Sequence, residues 1–363
     1  MIREIMTRIA VAMSGGVDSS VAALLLTQEG HQVIGVTMKL IEGACAEEYP
    51  QTSCCSLAAI HRARTTCRCL GIPHYTLNLA RQFERDVISA FCEAYANGQT
   101  PNPCLRCNES VKFGALLRLI RACGLELVAT GHYAVRERAT GRVLLLRGSD
   151  RNKDQSYALY GLTQEQLSRA LFPLGKLTKK QVRKLAHQHS LPAAEAHESQ
   201  DLCFVPDGHY RDFLSERITP GPGPICDYTG RSIGRHDGVH NYTVGQRSGL
   251  SLNSPQALYV IELDPQDNTV TVGSKEELPR HWCVLRDVNW VSLARPPRGQ
   301  SVAGEAEVRY RSTPTPASLT VTSEGTARVH LPNNSNTLTP GQSLVLYQGD
   351  VVVAGGVIEG AWN

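Results

Sequence analysis

The residues best suited to chemistry begin with Ser14-Gly15-Gly16-Val17-Asp18-Ser19, which places hydroxyls, glycines and a carboxylate between an apolar run over residues 9–12 and an apolar helical stretch over residues 21–26. Glycine permits a sharp turn and close approach of a ligand. The helix that follows presents unpaired N–H groups and the positive end of its dipole, a combination that binds anions, phosphate first among them. The loop has neither the lysine of a Walker A sequence nor a GxGxxG spacing. Two thiols come next, in Pro101-Asn102-Pro103-Cys104-Leu105-Arg106-Cys107-Asn108. Here the two prolines predict an extended loop and Asn108 an N-cap, so both thiols are expected just before a helix N-terminus, where the thiolate is favoured. The same C-x-x-C spacing also suits half a zinc site, completed from Cys54, Cys55, Cys67, Cys69 or Cys203, or a thioredoxin-like pair, which would have to follow the first strand of its own fold. Cys203 follows a polar bend and enters an apolar setting; alone it reads as a buried thiol. His132, after Gly131, and the crowded polar loop holding Lys153, Asp154 and Gln155 suit substrate or RNA-backbone contacts, against the plainer readings of a structural histidine and a solvated loop.

Strands over residues 9–12, 32–38, 74–79 and 127–133, alternating with helical patterns over residues 56–70 and 82–96, predict a parallel sheet with right-handed crossovers. Such sheets bind ligands at the carboxyl ends of their strands, where the opening loop, Met38 and Gly131 all fall. Gly131 is expected to let a nucleotide come close. Met38, taken alone, is a core methionine. A further surface helix is expected over residues 181–189. Pro220-Gly221-Pro222-Gly223-Pro224 then marks a shift in composition. Beyond it come short strands, over residues 257–261, 269–272, 318–321, 328–331 and 343–347, as in a small barrel or sandwich. The expected domains are residues 1–210, an α/β parallel-sheet domain; 211–280, a small β-rich central domain; and 281–363, β-rich to the end.

Composition is that of a globular chain, 42% hydrophobic and 20% charged, with no apolar run long enough to span a bilayer. The first six residues carry an acid and lack the long apolar stretch of a signal peptide, so a cytoplasmic location and no membrane partner are expected. The net charge of +3 is weak, but residues 1–210 hold 24 basic and 19 acidic side chains, which permits a polyanionic partner. Ten of the 12 cysteines lie within the first 203 residues. In a reducing compartment that points to sulfur or metal chemistry before disulfides, although most are expected to be small buried hydrophobes.

A strand, SGGVDS and a helix resemble the pyrophosphate loop (PP-loop) of ATP pyrophosphatases. With TPNPCLRCN, ATGHYA, NKDQSY, the Cys203 segment, HNYTVGQRSGL, VRYRS and TPGQSLVLY, the chain resembles the bacterial tRNA-specific 2-thiouridylases of the MnmA/TrmU family over nearly its whole length. The resemblance implies a PP-loop α/β domain, a central tRNA-binding domain and a C-terminal β-barrel. It implies ATP, with Mg²⁺, adenylating the 2-carbonyl oxygen of a wobble uridine, and sulfur replacing that oxygen with release of AMP and pyrophosphate. ATP would be lined by Ala12, Met13, Ser14, Gly15, Gly16, Val17, Asp18 and Ser19, with Met38 and Gly131 near the adenosine. Cys203 matches the persulfide carrier and Cys107 its paired catalytic cysteine, the two ending as a disulfide. Asn102, Pro103 and Cys104 match the segment that meets the target base; His132, Lys153, Asp154, Gln155, Arg309, Tyr310 and Gln342 match tRNA-contacting positions. Partners would be tRNA and an upstream persulfide-carrying sulfur donor. One departure stands out: many members carry aspartate where this chain has Cys104. Three thiols, Cys104, Cys107 and Cys203, also suit an iron–sulfur cluster as the alternative to a persulfide relay. Two other readings use the same loop, a small-metabolite synthetase and a cysteine-rich nucleotide-binding metal or redox sensor.

Overall fold

The computed structural model describes residues 6–42, 56–139, 141–196, 202–205, 209–219, 221–254 and 256–363. Cys45, Cys54 and Cys55, and with them part of the possible zinc-ligand set, lie outside the described residues, as does the polar bend before Cys203. The chain divides into two units, Met1–Ile88 with Pro103–His209, and Ser89–Asn102 with Tyr210–Asn363.

In the first unit the element order is β1 (Arg8–Ala12), α1 (Val17–Gln28), β2 (Gln32–Lys39), α2 (Leu57–Cys69), β3 (His74–Asn78) and α3 (Ala80–Phe83). A π-helical turn, Glu84–Ile88, continues α3 into α4 (Ser89–Ala96), which belongs to the second unit. The first unit resumes with α5 (Pro103–Arg106), a π-helix over Cys107–Ala115, α6 (Leu116–Ala122), β4 (Leu127–Ala129), the antiparallel hairpin β5 (Ala134–Ala139) and β6 (Arg142–Arg147), α7 (Gln164–Arg169), β7 (Ala170–Leu171) and α8 (Lys179–Gln188). Among the described residues five strands form a parallel sheet in the order β3-β2-β1-β4-β7. Four consecutive buried residues in β1 mark a strand covered on both faces, as a central parallel strand must be. Ile9 and Val11 join Val21, Leu24, Val33, Val182 and Ala186 in one core, which fixes α1 and α8 beside the strand ends that matter for the site.

The expected loop over residues 101–107 is corrected. Pro103 opens α5 rather than a rigid extended segment, because proline at the first helical position loses no hydrogen bond and comes with its φ preset. Cys104 is therefore in the first turn and Cys107 begins the π-helix, instead of both preceding a helix. Asn108 is not a cap: it is buried within the helix, and its amide donates to the Ala158 carbonyl at 2.8 Å. The helix predicted over residues 82–96 is likewise interrupted by its π-helical turn.

The second unit is built on α4 and α9 (Tyr210–Ser215): Phe91 meets Phe213 edge-on at 6.5 Å and Tyr95 meets Tyr210 at 5.8 Å. Among its described residues β8 (Gly223–Cys226), β9 (Ser232–His236), β10 (Tyr259–Asp264) and β11 (Thr269–Gly273) make a four-stranded sheet in the order β10-β11-β8-β9 around Ile225, Val260 and Val270. The remaining strands are β12 (Trp282–Trp290), β13 (Ser301–Glu307), β14 (Thr315–Ser323), β15 (Thr326–His330), β16 (Ser343–Gln348) and β17 (Val351–Trp362). They run β12-β15-β14-β13-β16-β17, and β12 pairs again with β17 to close a barrel without edges. Of the barrel and the sandwich that the short strands predict, this is the barrel.

His236 and His240 are buried in the central part of this unit, 2% and 3% exposed, and burial lowers the pKa of both. His236 Nδ1 accepts from Gly238 N at 3.0 Å, while Nε2 lies 3.0 Å from the Asn268 carbonyl and so carries the proton. A second proton, on Nδ1, would break the first bond. Because the folded values lie below the unfolded value of about 6.5, the unfolded chain binds more protons on acidification, and stability present above that pH is lost as pH falls through it toward the folded values. Thermal unfolding of the full chain should therefore shift downward between pH 7.5 and pH 5.5, and His236→Gln should flatten that dependence; an equal shift in both proteins would sink the assignment.

Candidate active site

The opening loop runs from the end of β1 into α1. Gly15 has φ +74°, the left-handed region, and a Cβ on it would fall 2.3 Å from the Ala59 carbonyl oxygen in α2. Arg62 Nε donates to the Gly15 carbonyl at 3.1 Å, so the first turns of α2 shape the loop from outside. Within it, Ser14 N donates to Ser19 Oγ at 3.2 Å and Ser19 Oγ donates to the Gly16 carbonyl at 3.2 Å. Gly16 at the N-cap has no side chain to satisfy the first amides of α1. Those amides and the dipole make the end of α1 an anion site, as for phosphate-binding loops generally.

Asp18 is tied on its far side. Lys179 Nζ lies 2.7 Å from both carboxylate oxygens, and Tyr133 Oη donates to one of them at 2.7 Å. Lys179 opens α8, whose Thr178–Gln181 capping box fixes its start, and its backbone N–H donates to Asp150 at 2.9 Å. The sequence motifs did not single out Lys179; a lysine at the start of a surface helix carries no local sign that it reaches back 161 residues to Asp18.

A cavity of about 320 Å³ opens at this edge of the sheet. Ala12, Met13, Ser14, Asp18 and Ser19 of the loop line it, with Met38 from β2 and Gly131 after β4. Gly15, Gly16 and Val17, though part of the loop, are not among its lining residues. Pro103, Cys104 and Cys107 line it too, as do Cys203, His132 and Gln155. The three candidate thiols therefore share one cavity with the anion site. Cys104 is exposed, Cys203 half-buried and Cys107 buried, and none of the three is in a disulfide. Cys203 is seated by its neighbours: Phe204 packs edge-on against Phe83 at 5.7 Å, and Val205 N–H donates to the Leu202 carbonyl. By contrast, burial pushes the Cys67 thiol up to about 11 and that of Cys283 to about 12, keeping both protonated and inert. No group of three or more His, Cys, Asp or Glu among the described residues is arranged to hold a metal.

A Cβ on Gly131 would lie 2.8 Å from Asp18 C and Ser19 N, so the backbone of α1 itself requires glycine at this point of the cavity wall. His132 pairs with Thr130 Oγ1 at 2.7 Å and sits between the rings of Phe113 and Phe172. Burial, with Lys112 adding positive charge nearby, holds its imidazole well below the usual range, so it is neutral at pH 7. Gln155 Oε1 accepts from Tyr133 N, which turns its amide toward the cavity wall.

The other residues matched to tRNA contacts fall elsewhere. Asp154 is 8% exposed, and its carboxylate takes Arg147 at 3.1 Å, the Gly148 and Ser156 amides and the Ser156 hydroxyl. That side chain shapes the loop carrying Lys153. In the second unit, exposed Arg309 and Arg311 flank Tyr310, with the Arg311 guanidinium over the Tyr310 ring at 4.9 Å. Gln342 donates its amide to the Thr100 carbonyl at 2.6 Å, while Thr100 N–H donates to the Pro340 carbonyl at 2.8 Å and Arg286 reaches Gln99 at 3.2 Å. These bonds strap the segment that leads to Asn102 onto the barrel.

Family models match the chain from near one end to the other: a tRNA methyl transferase HUP domain over residues 7–207, a tRNA methyl transferase PRC-barrel domain over 211–274 and an aminomethyltransferase beta-barrel domain over 280–358. The chain is 47% identical over 353 residues to the tRNA-specific 2-thiouridylase MnmA of Moorella thermoacetica, covering 96% of this chain and 98% of that one. It belongs to the MnmA family of tRNA-specific 2-thiouridylases. The same name is carried by relatives from Geobacter metallireducens, 47% identical over 98% of this chain, and Pelotomaculum thermopropionicum, 45% identical over 97%. Likeness along the full length leaves the small-metabolite synthetase and the metal or redox sensor without support. MnmA proteins being PP-loop enzymes, membership implies binding of ATP and Mg²⁺. No helix among the described residues is long and apolar enough to cross a membrane.

Proposed function

We propose that this chain is a tRNA-uridine 2-sulfurtransferase that replaces the 2-carbonyl oxygen of the wobble uridine with sulfur at the expense of ATP. The observation that supports this best is the meeting of the phosphate loop with Cys104, Cys107 and Cys203 in one cavity. The uridine oxygen attacks the α-phosphorus of ATP; pyrophosphate leaves toward the amides of α1, and the oxygen is left as part of an adenylate. Asp18 is the only carboxylate among the described residues lining the cavity, and a carboxylate beside phosphate oxygens fits Mg²⁺, which would offset phosphate charge there. The terminal sulfur of a Cys203 persulfide then attacks C2, and AMP departs with the oxygen. Cys107 thiolate attacks Cys203 Sγ, the S–S bond breaks, the sulfur stays on C2, and a Cys107–Cys203 disulfide remains for a dithiol reductant to reopen. Sulfide freed by Cys107 before the attack gives the same products. No step is routed through an iron–sulfur cluster.

The target base must leave its stack to enter the cavity. Asn102, Pro103 and Cys104 would meet it, with neutral His132 and Gln155 at the wall. Lys153 would meet the RNA backbone, and Arg309 and Tyr310 suit phosphate and base-face contacts in turn. Gln342 would act by holding Thr100. The roles follow the domains assigned to residues 1–210, 211–280 and 281–363, chemistry in the first and tRNA binding in the others. The sulfur would come from a persulfide-carrying protein of the reducing cytoplasm.

The test supplies iron-free protein with tRNA lacking the modification, ATP, Mg²⁺ and a persulfide donor. Expected is 2-thiouridine at the wobble position by nucleoside mass spectrometry, with AMP and pyrophosphate in equal amounts. ATP cleavage without thiouridine would overturn the reading, and activity that appears only on restoring iron would favour the cluster.

A further inference from the structure

The barrel of the second unit carries an aromatic ladder on its outer face. Trp282 begins β12 and stands in register with His330 on β15 and with Trp362 on β17. Residues directly opposite one another in an antiparallel pair share a face of the sheet. Their chain neighbours Cys283 and Val329 are fully buried in the barrel core, so alternation turns Trp282, His330 and Trp362 outward. The His330 imidazole stacks on the Trp282 indole at 4.1 Å with the planes 21° apart, and the Arg328 guanidinium lies over the same indole at 5.2 Å. Trp362 is 40% exposed, an uncommon setting for so large an apolar ring. Ser318 opposite His330, and Thr320 opposite Arg328, border the ladder with hydroxyls.

The ladder stands at one end of the barrel, where β12 begins and β15 and β17 end. At the same end β13 stops and β14 starts, with Ala306 opposite Thr315, and the loop between them carries Arg309, Tyr310 and Arg311. β16 starts there too, directly after Gln342. We infer that the ladder is a stacking site for an unpaired base of the bound tRNA, Trp362 offering its exposed ring and Arg328 its charge to the adjoining phosphate. Aromatic rings and guanidinium planes are the surfaces on which proteins take up unstacked RNA bases. Since every base has a π-face, such a site tolerates any sequence. Its continuity with Arg309 and Tyr310 at one barrel end favours RNA over a protein occupant. The inference rests on the reading of tRNA as the substrate made above.

The test uses the tryptophans themselves, which stand at 282, 290 and 362, with Trp290 packed against the barrel core. Fluorescence of the full chain is followed as tRNA lacking the modification is added, and Kd is measured over a range of salt. Wild type should be quenched on binding. Trp362→Ala should lose part of that quench and bind about tenfold more weakly, the cost of one lost stacking ring, whereas Trp362→Phe should stay within about twofold of wild type. Both should keep the wild-type slope of log Kd against log salt, because no phosphate contact is lost; Arg328→Gln should lower it by about one. Binding without quench in wild type overturns the inference with no variant needed. So does a Kd within about twofold of wild type in both Trp362→Ala and His330→Ala, which would give the ladder to a protein partner instead. Wild type that binds no tRNA at all would fail the substrate reading itself, a result distinct from either.

Discussion

Lys179→Met should slow tRNA thiolation by about 10²–10³-fold, the range seen when one preorganised charge or donor is removed from a site of developing charge. Lys179 is 12% exposed and bonds both oxygens of Asp18 at 2.7 Å, so it holds and neutralises the carboxylate that lines the cavity beside the amides of α1. Without it, Asp18 keeps only Tyr133 among these two partners and sets an unopposed negative charge beside incoming phosphates. The loss should fall on both kcat and the KM for ATP. Asp18→Asn in the same background should recover part of the KM effect, because the repulsion is then gone. Steady-state rates with saturating tRNA decide it: kcat/KM for ATP within twofold of wild type would remove Lys179 from the site.

Cys107→Ser and Cys203→Ser should each abolish 2-thiouridine formation, a loss of about 10³-fold or more, while ATP affinity stays within a factor of two. The reason is chemical. A serine hydroxyl neither carries sulfane sulfur nor ionises near neutral pH, yet it fills nearly the same volume beside Leu105 or Phe204. The hydrogen bonds that shape the loop run among Ser14, Gly16 and Ser19 themselves. Cys104→Ser is the informative contrast. Cys104 is exposed, and thiolation surviving in this variant, with loss in the other two, supports a two-thiol relay. Equal loss in all three would favour chemistry that needs three sulfurs. Thiouridine by mass spectrometry and ATP binding by calorimetry separate these outcomes, and normal thiolation in either of the first two variants would refute the relay.

Much of the fold was legible because its signals are local. Four apolar residues before SGGVDS can only be a covered strand, and Gly30 ends the helix after it with φ +81°. Short strands with proline and glycine turns pointed to a small β architecture, and β12 pairing with β17 decided for the barrel. The helix carrying the thiols was misread because Pro101 and Pro103 look alike in sequence, whereas only the second stands at a helix start. Its π-register has no local signature at all. That is why Lys112 was missed: a lysine five residues from a cysteine gives no reason to expect both at one cavity wall. Lys179 and the Asp154 cradle were hidden differently, since Asp150, Arg147 and α8 become neighbours of those groups only after folding. The motif residues of the loop and the thiols were visible as types; their convergence was a matter of tertiary structure.

The strap at Thr100 bears on how the chain is made. Residues 89–102 pack with residues that follow position 209, and Thr100 is bonded to Pro340 and Gln342. A ribosome delivers those partners about 240 residues after Thr100 itself. During that interval Thr100, two residues before Asn102, lacks the Pro340 and Gln342 partners that hold it in the finished chain. A prematurely terminated product would keep the sequence of the loop at the start of α1 yet lack both partners of Thr100, so the seating of this segment reports that translation has run to the barrel.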